Sequence, residues 1–303
     1  NFSRVTEFIL LGLSNTREMQ VLSFTTFFLA YLMVLLGNLL IIVTVTTDPK
    51  LCSPMYFLLC NLSFIDICCT SVTFPRMLVD LLTQRKAITF EDCIAQLFFL
   101  HFVGASEMFL LTVMTYDRYT AICKPLHYTL IMSRQLCWLL VSACWAGGFL
   151  HSLVQTLLTV QLPFCGPNTI DSYFCDVPPV IRLACTDIYV TEWLMASNSG
   201  FISLVCFLVL VTSYTFILVT VRVRFTEGHR KALSTCASHV MVVTIFFVPC
   251  IFIYLRPFST FPSDKHICVI YTVFPPVMNP LIYTLRNNEV KASMWKLWKR
   301  CKV

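Results

Sequence analysis

The sequence predicts an all-α membrane protein: a bundle of seven transmembrane helices followed by an amphipathic helix lying along the cytoplasmic interface. Three observations carry this. Hydrophobic residues make up 57% of the chain and charged residues only 13%, a balance foreign to ordinary soluble domains. Seven apolar runs are each long enough to cross a hydrocarbon core about 30 Å thick, which takes about 20 helical residues. Lys and Arg gather at the ends of those runs rather than in one stripe, so the net charge of +6 reads as membrane topology. The lipid bilayer is the expected partner and nucleic acid is not.

The expected organisation is a single unit over 1–303, with an extracellular tail at 1–20, the helix bundle at 21–285 and a cytoplasmic amphipathic tail at 286–303. The seven spans fall near 21–45, 55–82, 93–122, 136–158, 192–221, 231–254 and 266–285,. The first 20 residues lack a charged start before an apolar core, so the first span is expected to act as the targeting signal. An outside N-terminus puts fourteen of the 22 Lys and Arg in the cytoplasm, among them Lys50, Lys124, Arg134 and Arg222, and eight outside. That excess belongs on the inner side. Asn1, Phe2 and Ser3 form an N-x-S acceptor, so Asn1 is expected to be glycosylated on the translocated tail.

The second and third spans carry Asp66 and Glu107 at mid-depth, where an ionised group is costly unless it faces a polar interior. They are expected to face each other. With Asn38, Ser63 and Asn279 nearby they could hold a small cation or share a proton; two protonated carboxyls bonded to helix backbones are the plainer alternative. Arg118 lies between Asp117 and Tyr119 at the inner end of the third span. Its charge can be held by Asp117 and released to another partner, or it snorkels at the inner rim.

Outside the membrane, Cys93 opens the third span, and the long second outer loop carries Cys165, Cys175 and Cys185. Four cysteines in an oxidising compartment permit three pairings. The other cysteines sit mostly inside apolar runs, where a thiol behaves as a small hydrophobe. The sixth span contains Pro249 and the seventh Pro275, Pro276 and Pro280, each removing a backbone hydrogen bond. After the seventh span, Val290, Met294, Leu297 and Trp298 share one face against Lys291, Lys296, Lys299 and Arg300, the pattern of an interfacial helix.

The outer halves of the third, fifth, sixth and seventh spans offer Leu100, His101, Gly104, Ala105, Asn198, Ser199, Ile202, Phe247, Cys250, Ile251, Tyr254 and Thr272. The set is mostly apolar with a few hydrogen-bonding groups, as small-molecule sites usually are. No carboxylate lies in the outer half of the third span, so an ammonium ligand lacks its obvious partner. A secondary transporter would share the prolines and membrane carboxylates, but it predicts repeats that the sequence does not display. Scattered histidines, with neither H-E-x-x-H nor G-x-S-x-G present, argue against an enzyme.

Motifs along the whole chain resemble the tetrapod-type (class II) odorant receptors of the rhodopsin-like G-protein-coupled family. They include VTEFILLGLS from Val5, GN at Gly37 and Asn38, PMYFLLCNLSFIDIC from Pro54 and MTYDRYTAICKPLHY from Met114. SY at Ser213 and Tyr214, KALSTCASH from Lys231 and NPLIYTLRN from Asn279 complete them. Thr115, Thr120, Leu233 and Val277 are small departures, while Phe247 replaces the tyrosine of many odorant receptors. The resemblance implies a receptor for a small, neutral, volatile odorant, with Cys93 paired to Cys175 and Cys165 to Cys185. It also implies a sodium-type cation site at Asp66 and Glu107 as the one inorganic companion. An inner switch is implied at Asp117, Arg118, Tyr119, Tyr214, His239, Asn279, Pro280 and Tyr283. Coupling to the olfactory stimulatory G protein and residence in the plasma membrane of olfactory sensory cilia follow by the same resemblance.

Overall fold

The computed structural model describes residues 5–13, 16–83, 86–223, 227–256, 259 and 261–301, with side chains at 223–235, 238, 285–286 and 300–301 outside the description. Asn1 lies outside the described residues, as do the side chains of Lys231 and Arg300. In chain order the helices are α1 (Arg17–Thr47), α2 (Pro54–Leu82), α3 (Phe90–Cys123), α4 (Tyr128–Ile131), α5 (Arg134–Val160), α6 (Val177–Ile181) and α7 (Tyr189–Met195). A π-helical turn (Ala196–Phe201) joins α7 to α8 (Ile202–Val223), followed by α9 (Glu227–Tyr254), α10 (Asp264–Arg286) and α11 (Asn288–Cys301). Among the described residues six helical spans are long and apolar enough to cross a membrane, and the apolar stretch His239–Tyr254 of α9 supplies the seventh.

The elements begin and end where local chemistry dictates. Thr89 caps α3 by accepting from Asp92 N at 3.1 Å, and Ser133 caps α5 from Leu136 N at 3.2 Å, which satisfies donors a helix start leaves orphaned. Pro54 opens α2, a position whose missing N–H costs nothing. Inside α10, Pro280 cannot donate to the carbonyl of Pro276. Asn38 of α1 fills that gap, its Nδ2 donating to Pro276 O at 3.3 Å.

α3 is the central and most enclosed span, packed against α2, α5, α8 and α9. Its approach to α5 depends on Gly148, where a Cβ would stand 2.2 Å from Ser106 Oγ and 2.7 Å from Phe102 O. No other residue fits there without moving backbone.

The outer side is more structured than the expectation of a bare tail at 1–20. β1 (Glu7–Leu10) pairs antiparallel with β2 (Ala87–Thr89) and parallel with β3 (Thr169–Ile170). Phe8 and Leu10 point into a small outer core with Phe90, Phe164 and the Cys93–Cys175 bridge, following the two-residue period of a strand. Cys93 is bonded to Cys175 and Cys165 to Cys185, with Cα separations of 5.4 and 6.0 Å.

On the inner side α11 is tied to the loop between α1 and α2. Ser293 Oγ donates to Asp48 Oδ2 at 2.6 Å, and Lys296 Nζ lies 3.6 Å from the same carboxylate. The Ser293 hydroxyl, then the Lys50 N–H, hold Asp48 below the usual carboxylate range. Val290 is buried and Met294 packs on the core, whereas Trp295 and Trp298 are exposed.

Candidate ligand cavity and inner switch

A cavity of about 50 Å³ lies among α2, α3, α5, the π turn, α8, α9 and α10. Leu100, His101, Gly104, Ala105, Ser199, Cys250, Tyr254 and Thr272 line it, together with Cys69, Glu107, Met108, His151, Ser203, Phe246 and Tyr271. Four residues anticipated for the ligand do not line it. Asn198 Nδ2 instead donates to His151 O at 3.3 Å, Phe247 is fully buried beside Phe207 and Phe246, and Ile202 and Ile251 pack on the core. For Asn198 and Ile202 the π turn (Ala196–Phe201) explains the shift, because its extra residue rotates the faces of the helix on either side,. Gly200, within that turn, allows α9 to approach so closely that a Cβ would meet Tyr254 O at 2.7 Å.

Over the cavity, in contact with His101, Tyr254 and Tyr271 of its wall, lies Asp176, an outer-loop acid not anticipated for the ligand. Its carboxylate accepts from Val177 N at 2.7 Å and from Tyr254 OH at 2.9 and 3.0 Å. His101 Nε2 lies 3.1 Å away and Tyr271 OH donates at 3.5 Å. Cys175, the preceding residue, is bonded to the top of α3, and that bond sets Asp176 over the helix ends. Above this roof opens an outer vestibule of about 410 Å³, rimmed by the ion pairs Arg256–Asp264 and Lys265–Asp171, each at 2.8 Å, and Arg182–Glu192 at 3.5 Å. Arg256 is also held between the rings of Phe252 and Phe261, at 4.4 and 4.5 Å, a cation–π clamp.

Asp66 and Glu107 are both buried and close enough to interact electrostatically. They are not equivalent. Asn279 Nδ2 donates to both oxygens of Asp66 at 3.1 and 3.0 Å, whereas Glu107 lines the inner cavity and its Oε1 has no protein partner. The amide oxygens of Asn38 and Asn279 are likewise buried and unpartnered. Hard oxygen atoms left unmet beside two carboxylates fit a small cation.

At the inner end of α3, Asp117 is buried and accepts from Tyr128 OH of α4 at 2.7 Å. Among the described residues no ion pair within 4.0 Å joins it to Arg118, so the hold expected of Asp117 on Arg118 is replaced by one on α4. Burial first, then the neighbouring Asp117 carboxylate, push the Tyr128 phenol up from its ordinary value. Tyr214 OH and His239 Nδ1 share a hydrogen bond between α8 and α9. Tyr283 OH is buried without a protein partner, and Tyr119 is partly buried against the core.

A family model described as Olfactory receptor matches residues 27–300. The chain is 61% identical over 300 residues to Olfactory receptor 4E2 of Mus musculus, covering 99% of this chain and 97% of that one. It is 62% identical over 296 residues to Olfactory receptor 4Q2 of Homo sapiens, covering 97% and 94%. The chain belongs to the olfactory receptor family. It is therefore a multi-pass plasma-membrane odorant receptor that couples to a G protein, and not an enzyme. Among the side chains of this olfactory receptor's cavity and its cover that were not anticipated for the ligand are His151 and Tyr271 in the wall and Asp176 above it. Only Asp176 had a signal available, its place next to a bridging cysteine, because a bridge to the top of α3 must bring its neighbours over the helix ends. His151 lies on an apolar helix, where packing is the default reading.

Proposed function

We propose that the inner cavity binds a small, neutral, mainly apolar odorant, and that α3 and α9 pass its occupation to an olfactory stimulatory G protein, raising cyclic AMP in sensory cilia. The observation that supports this most is the cavity itself: it is largely apolar, covered by the Asp176 contact to Tyr254 and bounded by α3, α9 and α10 at once. Its 50 Å³ accommodates roughly three to five waters at about 10 to 15 Å³ each. A ligand of odorant size must therefore push its walls apart, which turns binding into helix displacement. The same helices carry Asp117, Arg118 and His239 at their inner ends, so displacement at the cavity reaches the Tyr214–His239 and Asp117–Tyr128 contacts.

On this reading Asp66, Glu107, Asn38 and Asn279 would hold a sodium-type cation, which supplies positive charge to two buried carboxylates. Gly104 faces open space, with nothing within 4 Å of where a Cβ would stand; Gly104→Leu should fill part of the cavity and penalise bulky agonists more than compact ones. Dose–response in cells carrying a cyclic-AMP reporter, normalised to surface expression, tests this. Unmoved curves for Gly104→Leu and Cys250→Phe with a confirmed agonist would place the site elsewhere.

A further inference from the structure

α11 uses one side on the bundle and leaves the other open. Val290 and Ser293 are buried and Met294 packs on the core. The acids within reach are turned to the protein: Glu289, the only acid in α11, accepts from Tyr56 OH at 2.6 Å. Asp48 accepts from Ser293 Oγ at 2.6 Å and faces Lys296 Nζ at 3.6 Å. On the other side, Lys291, Trp295, Trp298 and Lys299 follow at i, i+4, i+7 and i+8, a spacing that gathers them on one face,. All four are exposed, Trp295 at 61% and Trp298 at 57%. Lys299 Nζ stands 5.5 Å over the Trp295 ring, and no ion pair among the described residues engages Lys291 or Lys299. The sequence pattern put Trp298 with Val290 and Met294, but the structure turns it outward to join the lysines.

We infer that this outward face of α11 binds the anionic phospholipids of the inner leaflet, with phosphatidylserine as the source of the charge. Indoles settle at the headgroup level of a membrane, and lysines beside them are drawn to the negative surface of the cytoplasmic leaflet. With Glu289 and Asp48 engaged by the protein, no carboxylate of α11 offsets the two lysines on this face. Their spacing selects the kind of headgroup. Lys291 and Lys299 are eight residues apart, about 12 Å along the axis, with both indoles between them. Charge spread along a rod meets a row of singly charged headgroups, whereas one polyphosphate headgroup needs its cations converged on a point. The docked side, pinned at Asp48 and Tyr56, fixes the helix so that this face stays turned to the lipid.

The test uses the full-length receptor in nanodiscs of phosphatidylcholine with a minority of phosphatidylserine, where one lipid or the other carries brominated acyl chains that quench nearby indoles. Trp295→Phe with Trp298→Phe supplies the background from the other indoles, Trp138, Trp145 and Trp193 among them. Per mole of brominated lipid, quenching of Trp295 and Trp298 should be about fivefold stronger for phosphatidylserine, the preference that one lysine near an anionic surface confers. Lys291→Gln with Lys299→Gln should bring that ratio to within about twofold of unity. Salt at about 1 M, where the screening length is about 3 Å, should do the same with no substitution at all. Equal quenching by the two lipids in the parent receptor, or an excess that survives both the paired substitution and high salt, would overturn the inference. So would a phosphatidylinositol bisphosphate that, at matched total charge, displaces phosphatidylserine about tenfold more effectively, because that outcome marks one converged site.

Discussion

Replacing Asp176 with alanine should both loosen the receptor and relax its size selectivity. The carboxylate is held by three close donors, Val177 N, Tyr254 OH and His101 Nε2, at 2.7 to 3.1 Å; Tyr271 at 3.5 Å adds little. A hydrogen bond to a charged group contributes about 1.5 to 3 kcal/mol, but Val177 and Tyr254 line the vestibule and His101 the inner cavity, so the released donors can be rewetted and about 1 kcal/mol each is the better figure. The loss is then about 3 kcal/mol, or roughly 6 °C at about 2 °C per kcal/mol for a chain of this size. Asp176→Asn keeps one acceptor oxygen and should lose about half as much. Thermal inactivation of detergent-purified receptor, followed by thiol accessibility, measures the first effect. Removing the roof also joins the 50 Å³ cavity to the 410 Å³ vestibule, so bulky agonists should gain on compact ones in the reporter assay. A midpoint within about 1 °C of the parent, with an unchanged order of agonists, would refute the roof's role.

Gly148→Val should abolish surface delivery, because its side chain meets backbone at Phe102 O, whereas Gly147→Ala, which meets only the edge of the Phe109 ring at 3.0 Å, should reach the surface in reduced amount; flow cytometry of tagged receptor decides. Tyr128→Phe frees Asp117 to pair with Arg118 and should lower maximal cyclic-AMP output several-fold, with agonist potency moved less; higher output would mean that the Tyr128 contact restrains the receptor instead. Alkylation mapped by mass spectrometry should leave Cys165 and Cys185 unlabelled in surface-delivered receptor until reduction, and Cys185→Ser should cost about 3 kcal/mol from an opened loop. Asp66→Asn combined with Glu107→Gln should change both basal signalling and its dependence on sodium, and unchanged values at equal surface expression would remove the cation reading.

The bundle was legible because a hydrocarbon core imposes a length and a hydropathy that each span must meet alone. Span ends were less so: α1 starts at Arg17 and α3 at Phe90, where polar residues continue helices past the apolar run. β1 escaped notice because four residues of strand are fixed by partners far along the chain, Ala87–Thr89 and Thr169–Ile170. The cavity was legible in part for the same reason. Residues on α3 could be placed by helical spacing from Asp117, but the π turn altered the phase between Asn198 and Ile202. Asp176 and Tyr128 acquire partners only through tertiary structure, one across the roof and one beneath α3.

β1 also gives the tail a task beyond carrying a glycan acceptor. Its backbone is the middle rail of a three-strand frame: Leu10 N donates to Lys86 O at 2.9 Å, and Leu11 N donates to Ile170 O at 3.0 Å. The first and second outer loops touch that rail and not each other within the sheet. The first and second outer loops are thus stitched by a third piece of chain, and a cut or deletion before Leu10 would remove the strand that joins them above the helices.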